Sequence, residues 1–276
     1  MPVGLAKPFF LGTGAQRRFA VLFSPPSHAP ARGALLFVPA FAEEMNKSRR
    51  MVAACARALT EHGWTVLLFD LLGTGDSPGK FADANWDAWL ADLVVAHDWL
   101  RIHTNETPAL LAMRAGGLLA TAALPRLGAV PLMMLWQPVL SGKSQLTQFL
   151  RLKVAAESIA GSDGRTTTRS LVEQLARGER VEVAGYELSP DLALPLNQAE
   201  LATPLGVGRV VWIDVSTSPE LSPAAAAIVL KWRDAGVDIT TAAVVGVPFW
   251  QTQEIEDCPA LIEATLRHSR RDHERR

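Results

Sequence analysis

Short apolar runs alternate with helical patterns along most of the chain, and this alternation constrains the fold more than any other feature of the sequence. Three continuous apolar runs have the length of strands, at residues 34–38, 65–69 and 109–113. A segment with helical periodicity follows each of them, at residues 50–61, 85–101 and 115–127. Such runs are typical of parallel strands that are buried on both faces. We therefore predict an α/β fold with a mostly parallel central sheet flanked by helices.

The order of segments changes between residues 140 and 205. Two helical segments, at residues 145–159 and 168–177, occupy this stretch, and no strand–helix–strand unit is apparent in it. The parallel pattern resumes at residues 210–214. We predict a single domain over residues 1–276, with a lid of about residues 140–205 inserted after the sixth strand, which ends near Trp136.

The composition argues against a nucleic-acid-binding or membrane-spanning protein. The formal net charge is −1 and 20% of the residues are charged, so no extended basic surface is indicated. The charged run at residues 267–276 is interpreted as the solvated end of the last helix. No apolar stretch reaches the ~18 residues of a membrane span, and the N-terminus does not resemble a signal peptide. Cys55 and Cys258 lack metal-ligand spacing, so we expect a cytoplasmic protein without a metal site.

A turn with two glycines follows the strand at residues 65–69. Residues 70–77, with the sequence DLLGTGDS, resemble the D-x-x-G-x-G-x-S turn of many α/β-hydrolases. The glycines permit positive φ, and Ser77 can form a hydrogen bond within the turn. A dinucleotide-binding loop would need a third glycine where Pro78 stands. We predict a structural turn here, and no cofactor.

The strand at residues 109–113 leads directly into a helix through the sequence AMRAG at residues 112–116. In α/β-hydrolases such a strand–turn–helix is the nucleophile elbow, with small residues two positions before and two after the nucleophile. Ala112 and Gly116 meet this requirement, but the middle residue is Arg114 rather than serine. A guanidinium stays protonated and has no acceptor, so it is neither a nucleophile nor a base. The sequence thus indicates the fold without its usual chemistry.

Two roles are open for Arg114. At the N-terminus of a helix, where free N–H groups favour negative charge, it could bind a carboxylate or phosphate. Alternatively, it pairs with an acidic residue of the same site. In hydrolases the loop after the strand at residues 34–38 contributes to the oxyanion hole, here near Phe41 and Ala42. Glu43 and Glu44 follow directly and are the candidates to face Arg114, although both would also suit the start of a helix.

The positions of a triad's acid and base are also unusual. The acid follows the seventh strand, where Glu220 is the best-placed carboxylate and Asp214 the second. Alternatively, Ser218 caps the next helix, with Pro219 at its first position and Glu220 in its first turn. The base follows the last strand, where the sequence GVPFWQT contains Trp250 but no histidine.

No other histidine or serine is an obvious replacement. The histidines are at positions 28, 62, 97, 103, 268 and 273, away from this loop. A Ser–Lys pair formed by Ser141 or Ser144 with Lys143 is chemically possible, but a turn with solvated ends is the more ordinary interpretation of this segment.

With these segments in order, the sequence resembles the exosortase A system-associated hydrolase 2 family. The resemblance covers nearly the whole chain and implies an α/β-hydrolase fold. It also implies a bacterial protein associated with exosortase-dependent (PEP-CTERM) protein sorting and exopolysaccharide production. It implies no particular reaction. It rests on residues 39–49 (PAFAEEMNKSR), 69–77 (FDLLGTGDS), 135–139 (LWQPV), 148–152 (QFLRL) and 248–251 (PFWQ).

Two functions are consistent with these observations. In the first, the protein hydrolyses an ester, thioester or amide of an acyl or saccharide small molecule, with a non-standard active site. In the second, it is an inactive pseudo-hydrolase that binds an anionic ligand or a partner at Arg114. We predict no nucleic-acid partner in either case, and the sequence leaves the oligomeric state open. The candidate catalytic residues are Arg114, Glu220 and Glu44, and the candidate substrate-binding residues are Phe41, Ala42, Glu43, Asn46, Lys47 and Trp250.

Overall fold

An eight-stranded sheet forms the centre of the fold. The computed structural model describes residues 5–27, 29–161 and 166–270. Its strands are β1 (Leu5–Leu11), β2 (Arg18–Ser24), β3 (Gly33–Val38), β4 (Trp64–Phe69), β5 (Ala109–Met113), β6 (Met133–Trp136), β7 (Val181–Val183), β8 (Tyr186–Leu188), β9 (Val210–Ser216) and β10 (Ile239–Val245). The order in the sheet is β1-β2-β4-β3-β5-β6-β9-β10, and β7 and β8 form a separate hairpin. Strand β2 is antiparallel to both of its neighbours, β1 and β4. The other six strands of this sheet, in the order β4-β3-β5-β6-β9-β10, are parallel to one another.

Helices cover both faces of the sheet. They are α1 (Glu43–Glu61), α2 (Trp86–Thr104), α3 (Gly116–Leu127), α4 (Gly142–Ile159), α5 (Thr168–Ala176), α6 (Pro190–Gln198), α7 (Pro223–Asp234) and α8 (Pro259–Ser269). Along β5, Leu110 and Ala112 belong to the core formed with α2, α3 and α7, while Leu111 and Met113 belong to the core formed with α1 and α8. This alternation follows from the two-residue period of a strand. The predicted α/β fold with a mostly parallel, helix-covered sheet is confirmed.

None of the helices in the described ranges is long and apolar enough to cross a membrane.

The segment between β6 and β9 contains α4, α5, the β7–β8 hairpin and α6. Phe149 of α4, Leu171 of α5 and Leu192 of α6 join the core on the α2 side of the sheet. Helices α4 and α5 match the two predicted segments, but the hairpin and α6 were not expected. A start signal for α6 was nevertheless present, because Ser189 accepts a hydrogen bond from the Leu192 amide and Pro190 takes the first helical position.

Three further elements differ from the sequence-based expectation. Strand β1 was not predicted, because its residues are mostly exposed and include Lys7 and Pro8, which only an edge strand tolerates. Helix α1 begins at Glu43, as the helix-start alternative for Glu43 and Glu44 allowed, and not at residue 50. The sequence contains no capping signal for this start, because Ala42 before it has no side chain that can cap a helix. Ser222, not Ser218, caps α7 by accepting from the Ala225 amide at 3.2 Å.

Some expectations fall outside the described residues. They concern residues 1–4, His28, and residues 271–276, which include His273 and the end of the C-terminal charged run.

Gly116 lets the start of α3 approach the loop after β3. A Cβ atom at this position would lie 2.5 Å from the Pro39 carbonyl oxygen and 2.6 Å from that of Val38. Because both oxygens belong to buried backbone, we expect Gly116→Ala to lower the free energy of unfolding by about 1–3 kcal/mol in urea denaturation. The matched control is Gly117→Ala, whose Cβ would make ordinary contacts at 3.4 Å and longer. Equal losses in the two variants would contradict this explanation.

Candidate functional site

The turn between β5 and α3 has the backbone geometry of a nucleophile elbow. Arg114 has a φ of 53°, which is unusual for a residue with a side chain. Its N–H donates to the Trp136 carbonyl oxygen at 3.0 Å, and its own carbonyl oxygen accepts from the Gly117 amide at 3.0 Å. The elbow predicted from the small residues is therefore present, and Arg114 occupies the position of the nucleophile.

Two neighbouring residues also have positive φ. Ala42 precedes α1 with a φ of 50°, and Gln137 follows β6 with a φ of 43°. The Gln137 side chain stabilises its conformation, because Oε1 accepts from the Val215 amide at 2.6 Å. Such backbone conformations cost of order 1–3 kcal/mol each and cluster at functional sites. The carboxyl ends of β3, β5 and β6 thus form a constrained framework around Arg114.

The guanidinium of Arg114 is neutralised within the protein. Its Nε and Nη2 atoms donate to Glu44 Oε1 at 3.1 and 3.0 Å, and Nη1 donates to the Gln137 carbonyl oxygen at 3.4 Å. The side chains of Arg114 and Glu44 are only 9% and 12% exposed. Removing either partner would leave a charge largely shielded from water. Of the two roles considered for Arg114, the internal pair is the one that the structure shows.

Trp250 lies against the same guanidinium. It follows β10, at the position expected for a catalytic histidine, and the Arg114 Cζ atom lies 5.3 Å from the centre of its ring. This distance is in the range of cation–π interactions. Phe249 packs against Trp250 with ring centroids 5.0 Å apart, and both residues are buried. The protein therefore has an arginine at the serine position and a tryptophan at the histidine position. The arginine contacts both the Glu44 carboxylate and the Trp250 indole ring.

The displaced catalytic groups considered above are not assembled. Ser141 is the N-cap residue of α4, and Lys143 and Ser144 are exposed. In the described part of the chain no hydrogen bond joins a serine to a histidine. His97 is the most buried histidine there, and burial lowers its pKa, but it lies on α2 and does not line the cavity beside Arg114.

This cavity, of about 290 Å³, lies next to the Arg114–Glu44 pair. The start of α1, helix α4 and the loop after β10 form its walls. Its volume is just below the range that is usual for small-molecule sites, about 300–1,000 Å³. The predicted residues that line it are Phe41, Glu43, Glu44, Lys47 and Trp250.

Tyr186 of β8 connects the inserted segment to α1. Its hydroxyl donates to Glu43 Oε2 at 3.0 Å and accepts from Asn46 Nδ2 at 2.6 Å. Its ring packs edge-on against Phe81 and Phe149, with centroids 5.0 and 6.1 Å apart. The hydrogen bonds of the Tyr186 hydroxyl and the contacts of its ring with Phe81 and Phe149 therefore stabilise the inserted segment against α1.

Tyr186 is the only tyrosine in the chain, so tyrosinate absorbance reports on it alone. Burial and then the Glu43 carboxylate raise the pKa of Tyr186 above its ordinary value of about 10. The unfolded chain loses this proton near pH 10 while the folded protein keeps it. The free energy of unfolding is therefore expected to fall as the pH rises above about 10, and to fall less in Tyr186→Phe.

An absorbance titration of the folded protein checks this prediction. Glu43→Gln removes the neighbouring negative charge and is expected to lower the Tyr186 midpoint without bringing it to the ordinary value, because burial remains. A wild-type midpoint equal to that of a free tyrosine derivative would contradict the described environment.

Two carboxylates proposed for the triad's acid lie elsewhere. Glu220 is exposed in the loop after β9, and among the described residues it forms no hydrogen bond or ion pair with Arg114. Asp214 is buried and accepts from Trp212 Nε1 at 2.6 Å, and burial raises its pKa. The carboxylate that binds Arg114 is instead that of Glu44. Glu44 follows β3, which lies on the other side of β5 from β9 and β10.

Several residues of the site were missed by sequence reasoning. Gln145, Gln148 and Phe149 lie on one face of α4 and line the cavity, and Gln251 follows Trp250. Their helical spacing was visible in the sequence. What the spacing does not reveal is which face of the inserted helix contacts the end of the sheet.

The comparison with known families agrees with this geometry. A family model described as serine aminopeptidase, S33 matches residues 29–184 of the 276, which is more than half of the chain. The chain belongs to the serine aminopeptidase, S33 family. The family is named for a serine, and in this S33 family member Arg114 stands at the elbow instead. None of the curated protein sequences is significantly similar to the chain.

Solved α/β-hydrolases share the fold of this S33 family member over nearly its whole length. Est1E from Butyrivibrio proteoclasticus, solved with ferulic acid, is 14% identical with a TM-score of 0.62, covering 95% of this chain and 96% of that one. XC6422 from Xanthomonas campestris, an α/β serine hydrolase without a lid, is 16% identical with a TM-score of 0.56, covering 98% and 94%. A mutant of esterase E40 is 19% identical with a TM-score of 0.59, covering 98% and 84%. At these identities the likeness shows the fold and not the reaction.

Proposed function

We propose that this S33 family member binds a small molecule in the cavity beside the Arg114–Glu44 pair and does not hydrolyse it. The observation that carries the proposal is the side chain at the elbow, where Arg114 is bound to Glu44 and packed against Trp250. Because Glu44 already neutralises Arg114, the ligand is recognised by the cavity walls rather than by the guanidinium.

The magnitude of the missing chemistry supports the absence of hydrolysis. In a serine protease, removing either the serine or the histidine alone lowers turnover by about 10⁶-fold. Here neither residue stands at its usual position, and Trp250 has no acceptor nitrogen with which to take a proton. Backbone N–H groups near Ala42 and Ala115 could still stabilise an oxyanion, but without a nucleophile no covalent intermediate forms.

The resemblance to the exosortase A system-associated hydrolase 2 family supports a biological setting for this proposal. The binding protein would act in the cytoplasm, in exosortase-dependent protein sorting and exopolysaccharide production, with an acyl or saccharide precursor as its ligand. The segment from about residue 140 to 205 would then serve as a lid, since α4 lines the cavity and Tyr186 donates a hydrogen bond to Glu43 in the cavity wall.

Turnover measurements test the proposal. Purified protein is expected to release no product above the buffer rate from short p-nitrophenyl esters or acyl-thioesters. A library of small molecules is expected to contain compounds that raise the melting temperature in a concentration-dependent way. Turnover that persists through purification and changes in Gln251→Ala, a cavity variant, would overturn the proposal.

The second candidate is hydrolysis of an ester, thioester or amide. The retained elbow backbone and the family assignment favour it. It requires a water molecule or an unrecognised side chain as nucleophile, and the turnover experiment above decides between the two.

A further inference from the structure

One of the residues that line the cavity, Gln145, has an unpartnered acceptor. Gln145 of α4 is 3% exposed, and its Nε2 atom lies 3.4 Å from Glu44 Oε2. A carboxylate only accepts hydrogen bonds, so the amide nitrogen and not the oxygen must face it. Oε1 of Gln145 is then buried without a partner. Buried polar atoms are nearly always satisfied, so this oxygen indicates a missing donor.

The charges around the cavity cancel. Glu44 is neutralised by Arg114, and the two remaining charged lining residues, Glu43 and Lys47, have opposite signs. In the described ranges no ion pair involves Lys47. A bound cation would be attracted by Glu43 and repelled by Lys47, and a bound anion the reverse. The cavity therefore favours a ligand without net charge, such as a neutral molecule.

Apart from Leu152, the other lining groups are amides and aromatic rings. Gln148 and Gln251 add two primary amides to Gln145, and each amide offers two donors and an acceptor oxygen. Hydroxyl groups, which both donate and accept, are complementary to such amides. Phe149 and Trp250 supply apolar faces for the C–H surface of a ring.

We infer that the cavity binds a neutral polyhydroxylated molecule of about the size of one sugar ring, with one hydroxyl donating to Gln145 Oε1. This inference rests on the proposed binding function and names its ligand class. The cavity of about 290 Å³ limits the ligand to a single ring or a short polyol.

Calorimetric titration with a matched panel tests the inference. Glucose, galactose and N-acetylglucosamine represent the neutral class, and glucuronate and glucosamine are their anionic and cationic counterparts. At least one neutral sugar is expected to bind saturably and more tightly than the charged compounds. Gln145→Leu keeps the shape of the side chain and is expected to weaken binding about tenfold, as for one lost hydrogen bond.

Two further variants separate binding from folding. Gln251→Ala changes the exposed rim and is expected to weaken binding without affecting the core. Gln198→Leu, at an exposed position outside the cavity, is the matched control and is expected to bind as the wild type does. Preference for a charged compound, or equal binding by Gln145→Leu, would overturn the inference.

The outcomes also distinguish this inference from the proposed function. If the sugars fail and a neutral amide such as N-acetylglycinamide binds in a Gln145-dependent way, the ligand class is wrong while the binding function stands. If ester turnover is found, the proposed function fails regardless of the sugar titration.

Discussion

Glu44→Leu is expected to lower the free energy of unfolding by about 3–5 kcal/mol, because it leaves the Arg114 guanidinium buried without a counter-charge. The guanidinium cannot escape this penalty by losing its proton. Its remaining contacts, the Gln137 carbonyl and the Trp250 ring, carry no negative charge. Urea denaturation should show the loss as a lower midpoint with an unchanged slope.

A surface pair provides the matched control. Arg169 and Glu173 form an ion pair with side chains 89% and 55% exposed, so Glu173→Leu is expected to cause no measurable change. The double variant Glu44→Leu/Arg114→Met removes both charges and is expected to recover most of the lost stability. If Glu44→Leu is as stable as Glu173→Leu, Arg114 and Glu44 are not a buried pair.

Restoring a serine at the elbow is expected to restore no activity. In the double variant Arg114→Ser/Glu44→Gln, the hydroxyl stands at the nucleophile position and no unpaired charge remains. A serine without a base is as ineffective as no serine, so turnover should stay about 10⁶-fold below that of a complete triad. Release of p-nitrophenol, followed both in the steady state and as an initial burst, measures this.

The comparison variant adds Trp250→His to these two changes, which supplies a base at the usual position. Any acyl-enzyme burst is expected in this triple variant alone. A burst from Arg114→Ser/Glu44→Gln would mean that another group of the protein acts as the base, and the proposed absence of hydrolysis would be wrong.

The elbow could be predicted from sequence because its requirements are local. A buried strand, small residues at 112 and 116 and a small-residue helix are needed for this turn whatever its middle residue does. Glu43 and Glu44 could be named as candidate partners because, in hydrolases, the loop after the strand that is β3 here contributes to the oxyanion hole beside the elbow.

The rest of the site depends on packing that no local pattern encodes. Gln145 and Tyr186 belong to the inserted segment, and its packing against the rest of the chain brings Gln145 to the cavity and Tyr186 to Glu43 at the start of α1. The hairpin that carries Tyr186 turns through Ala184 and Gly185, both with positive φ. Glycine at the second position is an ordinary hairpin signal, but alanine at the first is not. Glu220 shows the opposite error, since its sequence distance suited a triad but the loop leaves its side chain exposed.

Arg114 contacts both Glu44 and Trp250, so substitutions at these three positions are not independent. Contacting residues of this kind typically couple by about 0.5–3 kcal/mol. Serine at position 114 alone leaves Glu44 without its counter-charge, and histidine at position 250 alone stands beside a guanidinium that repels its protonated form. Directed evolution that accepts one substitution at a time would therefore meet a loss of stability before any gain in turnover. Libraries that vary the three positions together avoid this barrier.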